Sequence, residues 1–499
     1  MRGAEDISMN KQQEQFQPLP LDVLIIGAGL SGIGAARALS DKCPDKRYLI
    51  LERREAIGGT WDLFRYPGIR SDSDMYTLGY SYKPWTGRKA IADGPDIKRY
   101  IEEIAEESGA IHNIRFRHQV VSASWSTDDA LWTVEVRITG EDGTTREERI
   151  RTRFIASCSG YYSYDEGYRP EFPGESDFNG QIIHPQFWPE QLDCQGKRIV
   201  VIGSGATAVT LVPALAEQGA RVTMLQRSPS YIFARPLVDR LAHALQRWLP
   251  LPLAYRLTRW KNVLLGQRFF RNARTRPGPT RDYLLHLAQR QVGSEVDMKH
   301  FSPDYRPWDQ RVCAVPDGDL FHMLRSRRVN IVTDTIDRFT PGGIRLASGQ
   351  ELEADIIVTA TGLKLNALGD VRLEVDGKVT AAADCMAYKG MMLSDVPNLM
   401  LTFGYTNASW TLKAELTCNY MTRLLRHMDK KGVRIAVARR DPTVKALPFL
   451  DFSSGYVQRG VDVMPQQGDR DCWRVHQNYL KDKYMIQYGR LDDGVLRFQ

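Results

Sequence analysis

Val23-Leu24-Ile25-Ile26-Gly27-Ala28-Gly29-Leu30-Ser31-Gly32 decides the fold of this chain, because a later stretch repeats its grammar. The second copy reads Ile199-Val200-Val201-Ile202-Gly203-Ser204-Gly205-Ala206-Thr207-Ala208-Val209. Each is a short apolar run, expected as a buried parallel strand, that meets G-x-G-x-x-G or G-x-G-x-x-A at the mouth of a helix. The glycines permit a tight turn and let backbone N–H groups approach a pyrophosphate at the positive helix N-terminus. One such match says little. Two, each followed by a second strand and a sugar-reading residue, imply two dinucleotides in one polypeptide.

The sugar-reading residues tell the two sites apart. After the first turn, Tyr48-Leu49-Ile50-Leu51 forms a strand that ends at Glu52. A carboxylate there accepts hydrogen bonds from ribose hydroxyls and repels a 2′-phosphate, so the site fits FAD or NAD. After the second turn, the strand over 221–226 leads into Arg227-Ser228, a guanidinium beside a hydroxyl, which suits the 2′-phosphate of NADP. The bland alternative for either residue is a solvated strand end.

Length and composition set the frame. At 499 residues the chain has room for two or three domains. A net charge of +7, with no Lys/Arg block interleaved with aromatics, gives no indication of a nucleic-acid partner. The seven cysteines are scattered without a C-x-x-C pair, which excludes a disulfide-reductase motif and favours a reducing cytoplasm. The nine histidines show no ligand spacing, so no metal site is expected. Residues 1–20 are polar, read as a disordered tail and not a signal peptide. No apolar run is long enough to span a membrane. Residues 235–281 hold eleven Lys/Arg and one acid, Asp239, among leucines and aromatics. This stretch reads as amphipathic helices, either packed on their own domain or making weak peripheral contact with anionic lipid.

The resulting fold class is α/β, with two Rossmann-like dinucleotide-binding domains (FAD and NADP) and a helical insertion near 235–300. The FAD domain is expected in two segments, 21–165 and 350–499, with the NADP domain (166–349) between them. The strand Asp355-Ile356-Ile357-Val358-Thr359-Ala360-Thr361-Gly362 is expected to return the chain to the flavin domain, its small-residue turn passing close to the flavin.

Between the two nucleotide motifs lies Phe178-Asn179-Gly180-Gln181-Ile182-Ile183-His184-Pro185-Gln186-Phe187-Trp188-Pro189. It fits F-x-G-x-x-x-H-x-x-x-W-P, fixed at Phe178, Gly180, His184, Trp188 and Pro189, and so resembles the fingerprint of type I Baeyer–Villiger monooxygenases. Gly58-Gly59-Thr60-Trp61-Asp62-Leu63, Arg65-Tyr66-Pro67-Gly68-Ile69-Arg70-Ser71-Asp72, Pro307-Trp308-Asp309-Gln310-Arg311 and Trp410-Thr411-Leu412-Lys413 resemble further blocks of that family, closest to its ethionamide-activating subgroup.

The resemblance implies an FAD- and NADPH-dependent enzyme that uses O2, through a C4a-peroxyflavin, to insert oxygen beside the carbonyl of a small hydrophobic ketone, with S-oxygenation of sulfides or thioamides as a companion activity. It implies flavin contacts at Gly27, Gly29, Ser31, Gly32, Glu52, Thr60, Trp61, Asp62, Leu63 and Val120. Nicotinamide-dinucleotide contacts fall at Gly203, Ser204, Gly205, Ala206, Thr207, Ala208, Val209, Arg227 and Ser228. Arg70, Ser71 and Asp72 would lie where the two cofactors meet, and Arg311 matches the active-site arginine, with Asp72 as its partner. Many family members carry Lys beside that arginine; here it is Gln310, which leaves Arg227 as the main phosphate ligand. His184 reads as a buried structural residue, not a general base. An N- or S-hydroxylating flavin monooxygenase, and a non-oxygenating flavoprotein oxidase or redox sensor, stand as alternatives.

Overall fold

A computed structural model describes residues 19–499; residues 1–18, nearly all of the expected tail, lie outside the described residues. The strand Leu21–Ile26 is apolar throughout its second half and pairs in parallel with Tyr48–Leu51 on one side and Thr145–Ser157 on the other. These strands are the centre of a nine-stranded sheet. Its far side is an antiparallel meander of His118–Ser126, Leu131–Thr139 and Thr145–Ser157, whose alternating burial is the mark of a sheet with one wet face.

The second apolar run, Arg198–Ile202, sits mid-sheet in a five-stranded, all-parallel sheet ordered Val329–Thr333, Arg221–Gln226, Arg198–Ile202, Ile356–Thr359, Gln181–Ile183. Parallel strands covered on both faces are expected to be apolar throughout, and Ile356–Thr359 is fully buried. This strand was expected in the flavin domain. It belongs instead to the second sheet, where it pairs in parallel with Arg198–Ile202 and Gln181–Ile183; Arg198 ties down the residue before it, its guanidinium donating to Asp355 at 2.6 Å and its backbone N–H to the same carboxylate at 2.8 Å. The return to the first sheet comes later, through Arg372–Val375 beside His118–Ser126 and Leu399–Leu401 beside Thr145–Ser157.

The basic stretch forms the helices Arg240–Trp248, Leu251–Thr275 and Pro277–Val292. The long middle helix does not pack only on its own domain. Arg259, nearly buried, donates to the carbonyls of Tyr76 (2.9 Å) and Gly79 (2.6 Å) and pairs with Glu415 (2.9 Å) on the helix Trp410–Lys431. Asn262 donates to Asp74 at 2.8 Å. The insertion therefore bolts the two nucleotide-binding sheets into one relative position. Among the described residues, no helix is long and apolar enough to cross a membrane.

Candidate active site

Both glycine turns open into one cavity of ≈ 890 Å³ that runs between the two sheets. At the first turn Gly27 has φ +100, and a Cβ there would lie 2.8 Å from the Cys158 carbonyl oxygen, so only glycine fits. Gly32 does not reach the cavity. Its missing side chain lets the helix Leu30–Lys42 close onto the turn, where a Cβ would fall 1.8 Å from the Gly27 oxygen. Glu52 is buried and accepts the backbone N–H groups of Ala28 (2.8 Å) and Arg54 (2.9 Å). Burial pushes its carboxyl pKa up, against those two donors. A carboxylate offers about four acceptor positions, which leaves two for hydroxyls in the cavity it lines. That is the demand of a ribose diol, and the first site fits FAD.

Thr60, Trp61 and Val120 also line this end, and Thr60 is hydrogen-bonded to Tyr162. Ser31 lines it too, and accepts a 2.8 Å hydrogen bond from the Trp410 indole. Asp62 and Leu63 point elsewhere. Asp62 is buried among Arg54 (2.6 Å) and Lys98 (2.8 Å); burial raises its pKa, and these hydrogen bonds outweigh it, so the carboxyl stays ionised. Leu63 joins the core of the second sheet. The short helix Thr60–Leu63 thus shows the cavity one face only.

At the second turn Gly203 has φ +142, and a Cβ would sit 2.4 Å from the Ala360 carbonyl oxygen. Gly205 meets nothing within 4 Å. The turn is held from behind by Ser204 Oγ, which bonds to Ser230 Oγ at 2.9 Å and donates to the Ser228 carbonyl at 3.0 Å. Ser204, Ala206, Thr207, Arg227 and Ser228 face the cavity, whereas Ala208 and Val209 are buried in the core behind it.

On the same cavity, Arg311 forms an ion pair with Asp72. The Asp72 carboxylate, more than burial opposes it, holds the guanidinium firmly in its charged form. Tyr161, Tyr456 and Cys313 stand round the pair, and burial pushes the Cys313 thiol up to about 12, so it stays neutral. Tyr161 stacks on Trp410 with ring centroids 5.2 Å apart. This aromatic wall had no signal in the sequence beyond the Trp410 block. Arg70 pairs with Asp319 at 2.6 Å through one nitrogen, while its other terminal nitrogen is buried without a partner beside the cavity. An orphaned donor there fits a bound polar group. Ser71 is buried and accepts the Ser73 N–H at 3.0 Å, which shapes the loop that presents Asp72.

The 178–189 segment lies outside this chemistry. His184 Nδ1 accepts the Gln186 N–H (3.2 Å), and Nε2 lies 3.2 Å from the Gly362 carbonyl, which assigns the neutral tautomer with the proton on Nε2. Burial lowers its pKa in agreement. Gly167 admits the ring, since a Cβ there would come within 2.0 Å of it. Phe178 packs in the core against Phe339, and Gly180 lets that ring lie on the backbone. Trp188 packs on the second sheet, and Pro189 is exposed. The segment is a fastener for the edge strand Gln181–Ile183, through the end of the neighbouring strand.

Comparison with known proteins shows the family and the fold. The profile of an NAD(P)-binding Rossmann-like domain matches residues 25–87, and that of the flavin-binding monooxygenase-like family matches residues 90–243. The FAD-containing monooxygenase EthA of Mycobacterium tuberculosis is 54% identical over 481 residues, covering 96% of this chain and 97% of that protein. The probable FAD-binding monooxygenase AlmA of Acinetobacter baylyi is 47% identical, covering 96% of each chain. Among solved structures, a steroid monooxygenase bound to NADP superposes with a TM-score of 0.76 at 20% identity, over 96% of this chain and 99% of the other. Cyclohexanone monooxygenase gives a TM-score of 0.73 at 17% identity, over 96% and 100%. These two share the fold.

Proposed function

Because the chain belongs to the FAD-containing monooxygenases, we propose that it uses NADPH and O2 to insert one oxygen beside the carbonyl of a small hydrophobic ketone, giving an ester or lactone, and that it also S-oxygenates sulfides or thioamides. The Arg311–Asp72 pair, on the cavity into which both nucleotide turns open, carries this reading. When bound, FAD reduced by NADPH supplies the activated oxygen. The protein's own work is electrostatic and steric. Arg311, charged at any working pH, stabilises negative charge as it develops on oxygen. Asp72 fixes its position. Tyr161, Trp410 and Tyr456 line the same cavity, and their rings lower the polarity around the pair, where a fixed charge acts more strongly than it would in bulk solvent. His184 takes no part, because both its nitrogens are engaged with backbone.

A panel of linear, cyclic and aryl ketones and sulfides, assayed for substrate-stimulated NADPH oxidation together with ester or sulfoxide formation, tests the proposal. Ester formation coupled to NADPH consumption supports it. Sulfoxide without ester would favour the N- or S-hydroxylating alternative. NADPH oxidation that no ketone or sulfide accelerates would favour an oxidase.

A second reading concerns the inserted helices. Trp248 is 81% exposed, with Leu241, Leu257, Leu264 and Leu265 also exposed among Arg247, Arg268 and Arg271. An apolar strip set in positive charge matches an anionic lipid surface. Salt-sensitive co-sedimentation with phosphatidylglycerol vesicles tests this; no binding at low salt refutes it.

A further inference from the structure

Five arginines line the cavity: Arg53, Arg70, Arg227, Arg311 and Arg459. Three carry a carboxylate partner, respectively Asp165, Asp319 and Asp72. Among the described residues, Arg227 and Arg459 have neither an ion pair nor a hydrogen bond, and the two lie close enough to repel. Arg459 is nevertheless held in place. Its guanidinium carbon lies over the Tyr168 ring, 3.3 Å from the centroid, a stacking that suits a planar cation. Tyr168 is itself pinned to the end of the second sheet: its N–H donates to the Gly362 carbonyl (3.0 Å), and its carbonyl accepts from Thr361 Oγ1 (2.6 Å). Gly362, whose φ of +115 favours glycine, lies beside the guanidinium: a Cβ there would be in ordinary van der Waals contact with Nη2, at 3.6 Å. The short helix Gly455–Arg459 is anchored in turn to the loop that bears Gln310 and Arg311, through two hydrogen bonds from Ser453 to the Asp309 carbonyl, at 2.8 and 2.9 Å.

Two like charges brought together, both without a counter-charge and both facing a dinucleotide cavity, make an anion seat. Burial and the charge of Arg227 both act to lower the proton affinity of Arg459, while Tyr168 raises it. A doubly charged anion between the two cations removes that repulsion. Gln310 at the same cavity supplies no charge. We propose that Arg459, on a segment remote in sequence from the nucleotide-binding motifs, is a specificity-determining residue: with Arg227 it clamps the 2′-phosphate of NADPH and supplies the second positive charge at that site. The inference rests on the assignment of NADPH to the second turn.

The test is calorimetric titration of NADP+ and of NAD+ into the full-length, FAD-loaded protein. Arg459→Gln keeps a planar group for Tyr168 and removes the charge. Arg459→Lys keeps the charge. FAD absorbance and melting temperature report whether each variant folds. Loss of a charge-assisted contact predicts NADP+ binding weakened about ten- to a hundredfold in Arg459→Gln, with NAD+ binding unchanged within about twofold. Arg459→Lys should recover part of the loss, and the salt dependence of NADP+ binding should become shallower in Arg459→Gln. Equal weakening of NADP+ and NAD+, or no change in either, overturns the role of Arg459. A wild-type protein that binds NADP+ no more tightly than NAD+ would instead refute the assignment of the second turn itself.

Discussion

A single methyl group placed at Gly205 and, separately, at Gly203 distinguishes space kept for a ligand from space closed by the fold. Gly205 has extended backbone (φ −82, ψ −175) at the N-cap of the helix Ala206–Glu217, and a Cβ there meets nothing within 4 Å. Gly205→Ala therefore costs only the poorer capping of alanine, about 1 kcal/mol, or roughly 2–4 °C for a domain of this size. The methyl group would stand where a pyrophosphate must approach the backbone, so NADP+ affinity should fall at least tenfold while FAD content stays full. Gly203 is the reverse case. Its φ of +142 is open only to glycine, and a Cβ would lie 2.4 Å from the Ala360 carbonyl oxygen. Backbone strain of about 1–3 kcal/mol adds to an overpacking cost of about 1–3 kcal/mol, so Gly203→Ala should melt roughly 5–20 °C lower. Thermal melting, flavin content and NADP+ titration, read together, decide the matter. A Gly205→Ala protein that binds NADP+ like wild type would show that the space at Gly205 is not kept for the dinucleotide, and a Gly203→Ala protein as stable as wild type would show that the fold does not close on Gly203.

Further outcomes follow from the same geometry. FAD should be released intact when the protein is denatured by heat, since Glu52 and the first turn hold it by hydrogen bonds; flavin that stays with the precipitated chain contradicts this. Arg227→Ala should erode the preference for NADPH over NADH about ten- to a hundredfold, the worth of a charge-assisted hydrogen bond of about 1.5–3 kcal/mol; an unchanged ratio of kcat/KM values counts against it. His184, His300 and His476 are all held neutral chiefly by burial, with pKa values below that of the unfolded chain. Between those values and about 6.5 the unfolded chain binds more protons, so stability should decline as pH falls below about 6.5, and urea melts of His184→Gln should show a shallower decline than wild type.

Much of this architecture was legible because it is local. Both glycine turns, their strands and the cavity-lining Glu52 and Arg227 lie in short contiguous stretches whose chemistry dictates their shape. The pair of Asp72 and Arg311 joins loops more than two hundred residues apart, and only the resemblance to a family suggested it. The sheet assignment of Ile356–Thr359 was missed because an apolar strand ending in small residues suits either sheet. Its pairing with Arg198–Ile202 and Gln181–Ile183 settles the matter, and both partners are more than 150 residues away in sequence. Asp62 and Leu63 were placed with Thr60 and Trp61 as neighbours in sequence, but a helix of one turn turns half its side chains away. The wall of Tyr161, Tyr456 and Trp410, like the stacking of Arg459 on Tyr168, comes from segments with no shared pattern.

In the proposed function Arg311, fixed by Asp72, supplies the charge on which oxygen insertion depends, while flavin binding rests on the first turn. The most direct measurement is ester yield per NADPH oxidised, with FAD content, for Arg311→Ala against wild type on the best ketone of the panel. Loss of an electrostatic partner of this kind costs about 3 kcal/mol or more. Arg311→Ala should keep one FAD per chain and form ester at least roughly a hundredfold more slowly. Ester formation near the wild-type rate, with FAD fully bound, would contradict it.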